Sequence, residues 1–495
     1  MTVDTTKKTA VVHDGVTPGG WPLALEGSVS ILQENSTFVA TRSAARALTP
    51  DVASEFIQTA GFYAAGDRGA ALYKKVAPEP SHNGKFSITL SDGISQVWYE
   101  LVCDEANVLT FGAVNTGSST LLSTRYATLA DAQKDYPNAS ALTQQINDLA
   151  VANALGYAAA KHKTFFGFGP FPNAFPVFFP EGGYYITSIA QITISSHIYG
   201  AGVGVTSLLF AGAAGWSFSL ADNDFVEMHD LDLLSVGPNT GTAISISGSS
   251  GQDVRNVANI HDILISSWGP TNYWNKGVFL QNVGDSFFER VRVQSSSVSH
   301  WVTSGFEIGT RCIDNHFSEC AVQGATNAIL IAGDSCEGLR VEDCTFIAVA
   351  YGVRKTSSGG NPPHWAIRGT HIAAYRSAVN MSHCSTVIIG ECLFYLTDQA
   401  GVPTQNNDVC VYLDNCSGVR VIDSELGGQN DGLFQYGVVL ANCLNVYLAG
   451  LYFAFFDIGI SVSASTTNGF ILYPTSFSVG TLVSNSGANV IVKTS

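Results

Sequence analysis

One short phrase returns three times between Gly305 and Phe394 with a cysteine in the same slot: HFSECAVQ around Cys320, LRVEDCTFI around Cys344 and VIIGECLFY around Cys392. A second cysteine, Cys312, Cys336 or Cys384, precedes each of these by 8 residues. Self-similarity at a fixed short period limits the architectures open to a chain more than any other feature, because each unit must bury its apolar face against the next.

The repeat extends well beyond those three copies. The residue just before the cysteine slot runs Asp230, Asp262, Arg290, Glu319, Asp343, Gly369, Glu391, Asp423 and Gly450, at spacings of 22 to 32 residues. A second strand-like phrase follows in each unit, starting at Gly277, Gly305, Ala328, Gly352, Ala378, Cys410, Gly437 and Gly459 (GVFLQN, AILIAG, CVYLDN, GVVLAN). Period-two strands inside a period in the twenties predict an all-β chain wound as a parallel β-helix. The residues after the anchors, Leu231, Ile263, Val291, Cys320, Cys344, Thr370, Cys392, Ser424 and Leu451, are apolar or small, as a stacked interior requires.

Composition agrees. Forty-nine glycines, 28 phenylalanines and 18 tyrosines with 13% charged residues favour strands and tight turns. The net charge of −16 argues against a nucleic-acid partner, which needs a basic stripe. No apolar run reaches the length of a membrane span, so no membrane insertion is expected, and the polar, mixed opening MTVDTTKKTAVVHDG does not read as an export leader. The ten cysteines sit inside apolar strand text without metal spacing. They are expected to be free thiols packed as small hydrophobes, with no metal and no cofactor.

Residues 1–105 read as a separate module, with helical composition over 41–56 and strand-like text over 91–102. Residues 106–165 read as a linker and capping helix, with Leu142, Ile146, Leu149 and Ala152 on one face behind an Asn138/Ser140 cap region. Residues 166–460 carry the β-helix, and 461–495 read as a C-terminal cap or oligomer contact. Gly200, Gly202 and Gly204 lack the spacing of a nucleotide-binding fingerprint and are read as turn glycines.

The module carries Ala64-Ala65-Gly66-Asp67-Arg68-Gly69 with Tyr73, then Asp92, Gly93, Trp98, Glu100 and Leu101; VLTFGAVNTG follows at 108–117. These phrases resemble the AAGDxGGxxY, DGxxWEL and VxxFGAKGDG phrases that introduce the β-helix of bacteriophage tailspikes and polysaccharide depolymerases of the pectate-lyase-like superfamily. PEGGYYITS at 180–188 is similar to the PxGxYxI of their first coil. The chain departs from the pattern after Gly117, where SSTLLSTRYATL replaces a threonine and two aspartates. The resemblance implies a right-handed, single-stranded β-helix and a homotrimer whose N-terminal module attaches to a phage tail, baseplate or adaptor protein. It also implies assembly in the host cytoplasm and action on a bacterial surface polysaccharide.

Connection lengths place the expected site. The second strand starts 15 residues after Asp262 and after Arg290, 9 after Glu319, Asp343 and Gly369, then 19 after Glu391 and 14 after Asp423. Three short-turn coils between long-looped ones predict a walled groove. Residues 266–276 and 295–304 form the upstream wall with Trp268, Tyr273, Trp274 and Trp301; residues 397–408 and 427–436 form the downstream wall. Residues 356–365 form a further loop at the other end of a short coil.

On the groove floor the anchors are expected to point outward. Glu319 and Asp343 then lie about one rung of ~4.8 Å apart, with Arg290 flanking and Glu307 and Glu391 at the edges. One protonated and one ionised carboxyl is what glycoside hydrolysis needs. Trp268, Trp274, Trp301, Arg290, Arg354, His371, Tyr351, Tyr375 and Asn380 are the expected substrate-binding residues. Three functions stay open: a hydrolase using the carboxylates, a lyase using Arg354, His371 or Tyr375 to abstract a proton beside a uronate, and a spike that binds without cutting.

Overall fold

The computed structural model describes residues 36–48, 54–90, 92–162, 174–222, 224–249, 257–295, 300–360, 362–398 and 405–493. The first part of the N-terminal module, residues 296–299 of the upstream wall and residues 399–404 of the downstream wall lie outside the described residues.

A small five-stranded sheet comes first, ordered Ser36–Val39, Phe56–Thr59, Ala71–Val76, Gln96–Val102, Lys85–Thr89. Of the helix expected over 41–56, the described residues hold Arg42–Arg46, capped by the Thr41 hydroxyl, and Phe56 begins a strand. Arg42 is buried; its Nε donates to Asp135 at 3.1 Å and its NH1 to the Tyr73 hydroxyl at 2.9 Å. Asp135 also takes Arg46 and, at 2.8 Å, the Tyr126 hydroxyl. These ties fasten the small sheet to the segment that follows it.

The AAGDRG phrase has a physical reason. Asp67 accepts the backbone N–H groups of Phe62, Tyr63, Ala64 and Gly69 at 2.7–3.0 Å, folding the loop around one carboxylate. Burial opposes ionisation there, but the four donors outweigh it and hold the carboxyl below its usual range.

The helix Ile146–Lys161 lies beside the first coils. Its buried face is Ile146, Ala150, Ala154, Tyr157 and Ala158 with Leu149, Val151 and two asparagines. Ala152 is exposed, so the apolar stripe is rotated from the one expected, and Leu142 precedes the helix. Asn147 explains the rotation: its side chain turns inward to bond the N–H and C=O of Val114, satisfying backbone where the chain enters the coils.

The remainder is a parallel β-solenoid of about 11 turns. Its regularity shows in a single register column, His197, Glu227, Asn259, Phe287, His316, Arg340, Ala366, Ile388, Arg420, Tyr447, Phe470 and Ile491, each paired with the next. Each middle coil contributes three faces. Face one precedes the anchor (His316–Ser318, Arg340–Glu342), face two follows it (Ala321–Gln323, Thr345–Ile347), and face three carries the second strand (Ala325–Ile331, Val349–Lys355). Stacking does not stop at 460; Thr467–Leu472, Thr475–Phe477, Thr481–Asn485 and Ala488–Lys493 continue the same three faces.

The interior column is as expected: all nine residues after the anchors are at most 3% exposed. All ten cysteines are free and nine are buried. Eight of the thiols meet nearby carbonyls, as Cys320 Sγ does Phe288 O at 3.2 Å and Cys392 Sγ does Gly390 O at 3.1 Å. Among the described residues no helix is long and apolar enough to cross a membrane.

Candidate functional site

The corner between faces two and three is where the coils differ. Ala321–Ile331, Thr345–Lys355 and His371–Ser382 cross it as unbroken strands. The coils before them break between Gln294 and Val302, and the coils after them between Leu396 and Asp408 and between Gly427 and Gln435. The short-turn floor and its flanking loops are therefore present at this corner. Gly324 and Ala348 make the bend with left-handed backbone (φ +73° and +56°), and the third coil makes it with a register shift near Tyr375. Small side chains line this corner: Ala325 and Ala374 fill it from the interior, and Ala350 and Ala373 lie just under its surface.

Trp301 does not stand as a free wall. It meets Tyr375, which belongs to the third coil beyond it, with ring centroids 4.9 Å apart and 45° between planes. Gly324 and the alanines leave the room for this bridge across the floor. Trp301 Nε1 and the Tyr375 hydroxyl are both buried with no hydrogen-bond partner among the described residues, and burial pushes the Tyr375 phenol above its ordinary range. Next to Tyr375, Arg376 NH1 pairs with Asp408 at 3.1 Å on the downstream side. Burial raises the Asp408 carboxyl, and a backbone donor from Gln405 and Arg376 only partly offset it.

The other expected binders fall on three surfaces. Arg354 lays its guanidinium 4.0 Å above the Tyr351 ring on face three, and Asn380 is the next residue along from Arg354 in register. His371, on face two, lies 2.9 Å by its Nε2 from the Tyr395 hydroxyl, and burial lowers its pKa, keeping it neutral near pH 7. Trp268 is 61% exposed, free to present a ring face to solvent. Trp274 is not a wall residue: it is 1% exposed, inside the solenoid, with Nε1 donating to Leu233 O at 3.2 Å. Its place in an inward strand position, paired with Thr240, overrides its loop-like neighbours in sequence. Glu307 is nearly buried and held by Lys276 at 2.6 Å and Ser304 at 3.2 Å, so its ion pair stabilises face three.

The anchors sit at a different corner, between faces one and two. Asp230, Asp262, Arg290, Glu319, Asp343 and Glu391 all have φ between +51° and +60°: they are turn residues, and not members of an outward strand row on the groove floor. The left-handed turn lets one strand bend into the next while the following residue points in. Arg290 spends its guanidinium on Asp262, at 2.7 and 2.8 Å, and on Glu289. Glu319, Asp343 and Glu391 are exposed. Asp343 leans over Gly369, where a Cβ would strike its carboxylate, and so away from the coil of Glu319. No direct bond joins Glu319 to Asp343 among the described residues.

Sequence reasoning missed Tyr395, Arg376 and Asp408. Tyr395 was within reach of it, because it lies on the next coil, two residues past Leu393, the register partner of His371, and so on the same side of face two. The Arg376 and Asp408 pair depends on the local bulge and carried no such signal.

No family model and no curated protein matches the chain. Solved structures do. The tailspike protein gp49 from Pseudomonas phage LKA1 superposes with a TM-score of 0.51 at 14% identity, covering 78% of this chain and 84% of that one. The chain shares its fold with a phage tailspike. Other similar structures are the A-module of the mannuronan C-5 epimerase AlgE6 of Azotobacter vinelandii (TM-score 0.47, 13% identity, 78% of this chain and 99% of that one). A catalytic domain of GH87 α-1,3-glucanase matches at TM-score 0.48 and 11% identity, over 80% of this chain and 71% of that one. At these identities what the chains have in common is the solenoid.

Proposed function

We propose that this protein is a phage tailspike that binds a bacterial surface polysaccharide along the corner between faces two and three and depolymerises it. The observation that carries this reading is the run of three loop-free coils between loop-bearing ones, with aromatic and ionic side chains gathered at its rims. A sugar chain needs a long, open, rigid bed with ring-sized apolar faces and a few polar anchors. Small residues on the floor and Trp301, Tyr351 and Trp268 around it supply those elements. The similarity to a Pseudomonas phage tailspike supports a phage tail setting; a homotrimer attached through the N-terminal module is part of the same proposal.

For the chemistry we favour hydrolysis by a carboxyl pair. Glu319 and Asp343 are exposed on successive turns at the other edge of face two, so the sugar chain would cross face two from the loop-walled corner to reach them. Their backbones are one rung of ~4.8 Å apart, and the Asp343 side chain, which leans over Gly369, would swing toward Glu319 to reach the ~5–5.5 Å of a retaining pair. Glu319→Gln and Asp343→Asn should each abolish release of reducing ends while the protein still retains polysaccharide on a gel. Full activity in both variants removes these residues from the mechanism.

One observation favours elimination as the second reading. His371 is neutral and bonded to Tyr395, an acid and base pair poised on an exposed face. A lyase leaves an unsaturated sugar, so products absorbing in the near ultraviolet, lost in His371→Ala, decide for it.

A further inference from the structure

The outer side of face one, away from the loop-walled corner, carries a second set of chemical groups. Tyr199, His229, His261 and Glu289 lie in one register column, with His197 and Glu227 in the next. The His229 and His261 rings stack at 4.6 Å and 6°, and Tyr199 stacks on His197 and His229 at 5.1 and 5.2 Å. Each of the two stacked histidines bonds the aspartate that follows it: His229 Nδ1 to Asp230 at 2.8 Å, His261 Nδ1 to Asp262 at 2.9 Å.

These bonds fix which nitrogen is free. A ring that donates Nδ1–H to a carboxylate presents the lone pair of Nε2. His229 Nε2 lies 3.0 Å from His197 Nε2, and His197 Nδ1 faces Glu227 at 3.9 Å. His229 therefore turns the lone pair of its Nε2 on His197 Nε2 at 3.0 Å, a position that either a proton on His197 Nε2 or a metal ion between the two nitrogens satisfies. Tetrahedral zinc with bonds of about 2.0–2.1 Å holds two imidazole nitrogens roughly 3.3 Å apart, close to the separation here. Ligand atoms of His197, Glu227 and His229 all lie within 4.8 Å of one another. Asn259 Nδ2 steadies the Glu227 carboxylate at 3.3 Å, and all three ligands are partly exposed, leaving room for solvent as a fourth.

We propose that His197, Glu227 and His229 bind one divalent transition-metal ion of the zinc class, with Asp230 orienting His229 from behind. His197 belongs to one coil and Glu227 and His229 to the next, so the ion clips two coils together near the helix-covered end of the solenoid. Two imidazoles and one carboxylate select zinc, cobalt or nickel over magnesium or calcium, which prefer oxygen ligands. No sequence motif announces the site, because its ligands come from neighbouring coils and not from one local run.

The test uses the full-length chain freed of metal with a chelator. Calorimetric titration with zinc chloride should show one equivalent bound, unaffected by excess magnesium, with a rise in Tm. The same protein with cobalt should give the absorption bands of a low-coordinate nitrogen and oxygen site, a readout that needs no variant. His197→Gln and His229→Gln should weaken zinc at least about tenfold and Asp230→Asn by about tenfold, while His316→Gln, on the same face further along, changes nothing. Absence of saturable zinc and cobalt binding by the wild-type chain, which would leave a shared proton between the two rings, overturns the proposal. Equal loss of binding in His316→Gln overturns it as well.

Discussion

Trp301 and Tyr375 come from coils three rungs apart and still meet, with ring centroids at 4.9 Å, over the small residues of the two coils between them. Each buries its one polar atom without a partner among the described residues. A buried donor left unsatisfied costs about 1–3 kcal/mol, and an aromatic pair contributes about 0.5–1.5 kcal/mol beyond its buried area. Tyr375→Phe removes the unsatisfied hydroxyl and keeps the ring, so its urea midpoint should equal or exceed that of the wild type. Trp301→Ala should lower both the midpoint and polysaccharide retention. A Tyr375→Phe variant that is markedly less stable would show that the hydroxyl is bonded in solution.

The interior stack sets most of the stability. Phe317 lies parallel to Phe288 at 4.9 Å and 12°, and edge-on to Phe306 at 4.9 Å, with all three fully buried. Phe317→Ala should cost about 3–5 kcal/mol through lost burial and the cavity left behind. Equilibrium denaturation monitored by far-ultraviolet circular dichroism checks it; a loss under 1 kcal/mol would mean that the coils collapse around the gap.

Two glycines separate backbone strain from steric contact. Gly432 has φ +78° and nothing within 4 Å of a would-be Cβ, whereas Gly369 has φ +56° and the Asp343 carboxylate in the way. Gly432→Ala should cost only the left-handed penalty, about 1–2 kcal/mol. Gly369→Ala should cost more and displace the Asp343 side chain. If Asp343 takes part in the chemistry, Gly369→Ala lowers kcat with little change in KM; equal kcat in the two variants would detach Asp343 from the reaction.

Asp135 gives the pH dependence. Burial opposes its charge, yet Arg46, Arg42 and the Tyr126 hydroxyl outweigh that and hold the folded carboxyl below its ordinary value. A depressed folded pKa adds stability that is fully present above the unfolded value near ~3.9 and is lost as pH falls through the folded one. Asp135→Asn should therefore destabilise the protein at pH 6, by about 3–5 kcal/mol for a broken buried pair. The gap from the wild type should narrow below about pH 4. A gap that is constant from pH 6 to pH 3 would contradict the ion-pair account.

The fold was legible because a solenoid writes its geometry into a linear period. Cys320, Cys344 and Cys392 mark equivalent slots, and alternation alone tells that their neighbours point out. Connection lengths likewise located the loop-free corner. What the period cannot give is the azimuth of a turn: Glu319 and Asp343 read as outward floor residues, but their left-handed backbone puts them at the opposite edge of face two. Trp274 was misplaced for a related reason, since burial of a ring at a strand's first residue depends on the room left by Thr240 on the adjacent coil. The Trp301 and Tyr375 bridge and the Arg376 and Asp408 pair span several coils and depend on side-chain reach, which no spacing rule encodes.

Incubating the purified protein with bacterial capsular and exopolysaccharides that it retains on an affinity gel, then following chain length by size-exclusion chromatography, tests depolymerisation itself. A retained polysaccharide should shorten progressively to oligosaccharides, with slower shortening and weaker retention in Trp301→Ala. Retained polysaccharide that keeps its full length on prolonged incubation would contradict depolymerisation and leave a spike that only binds.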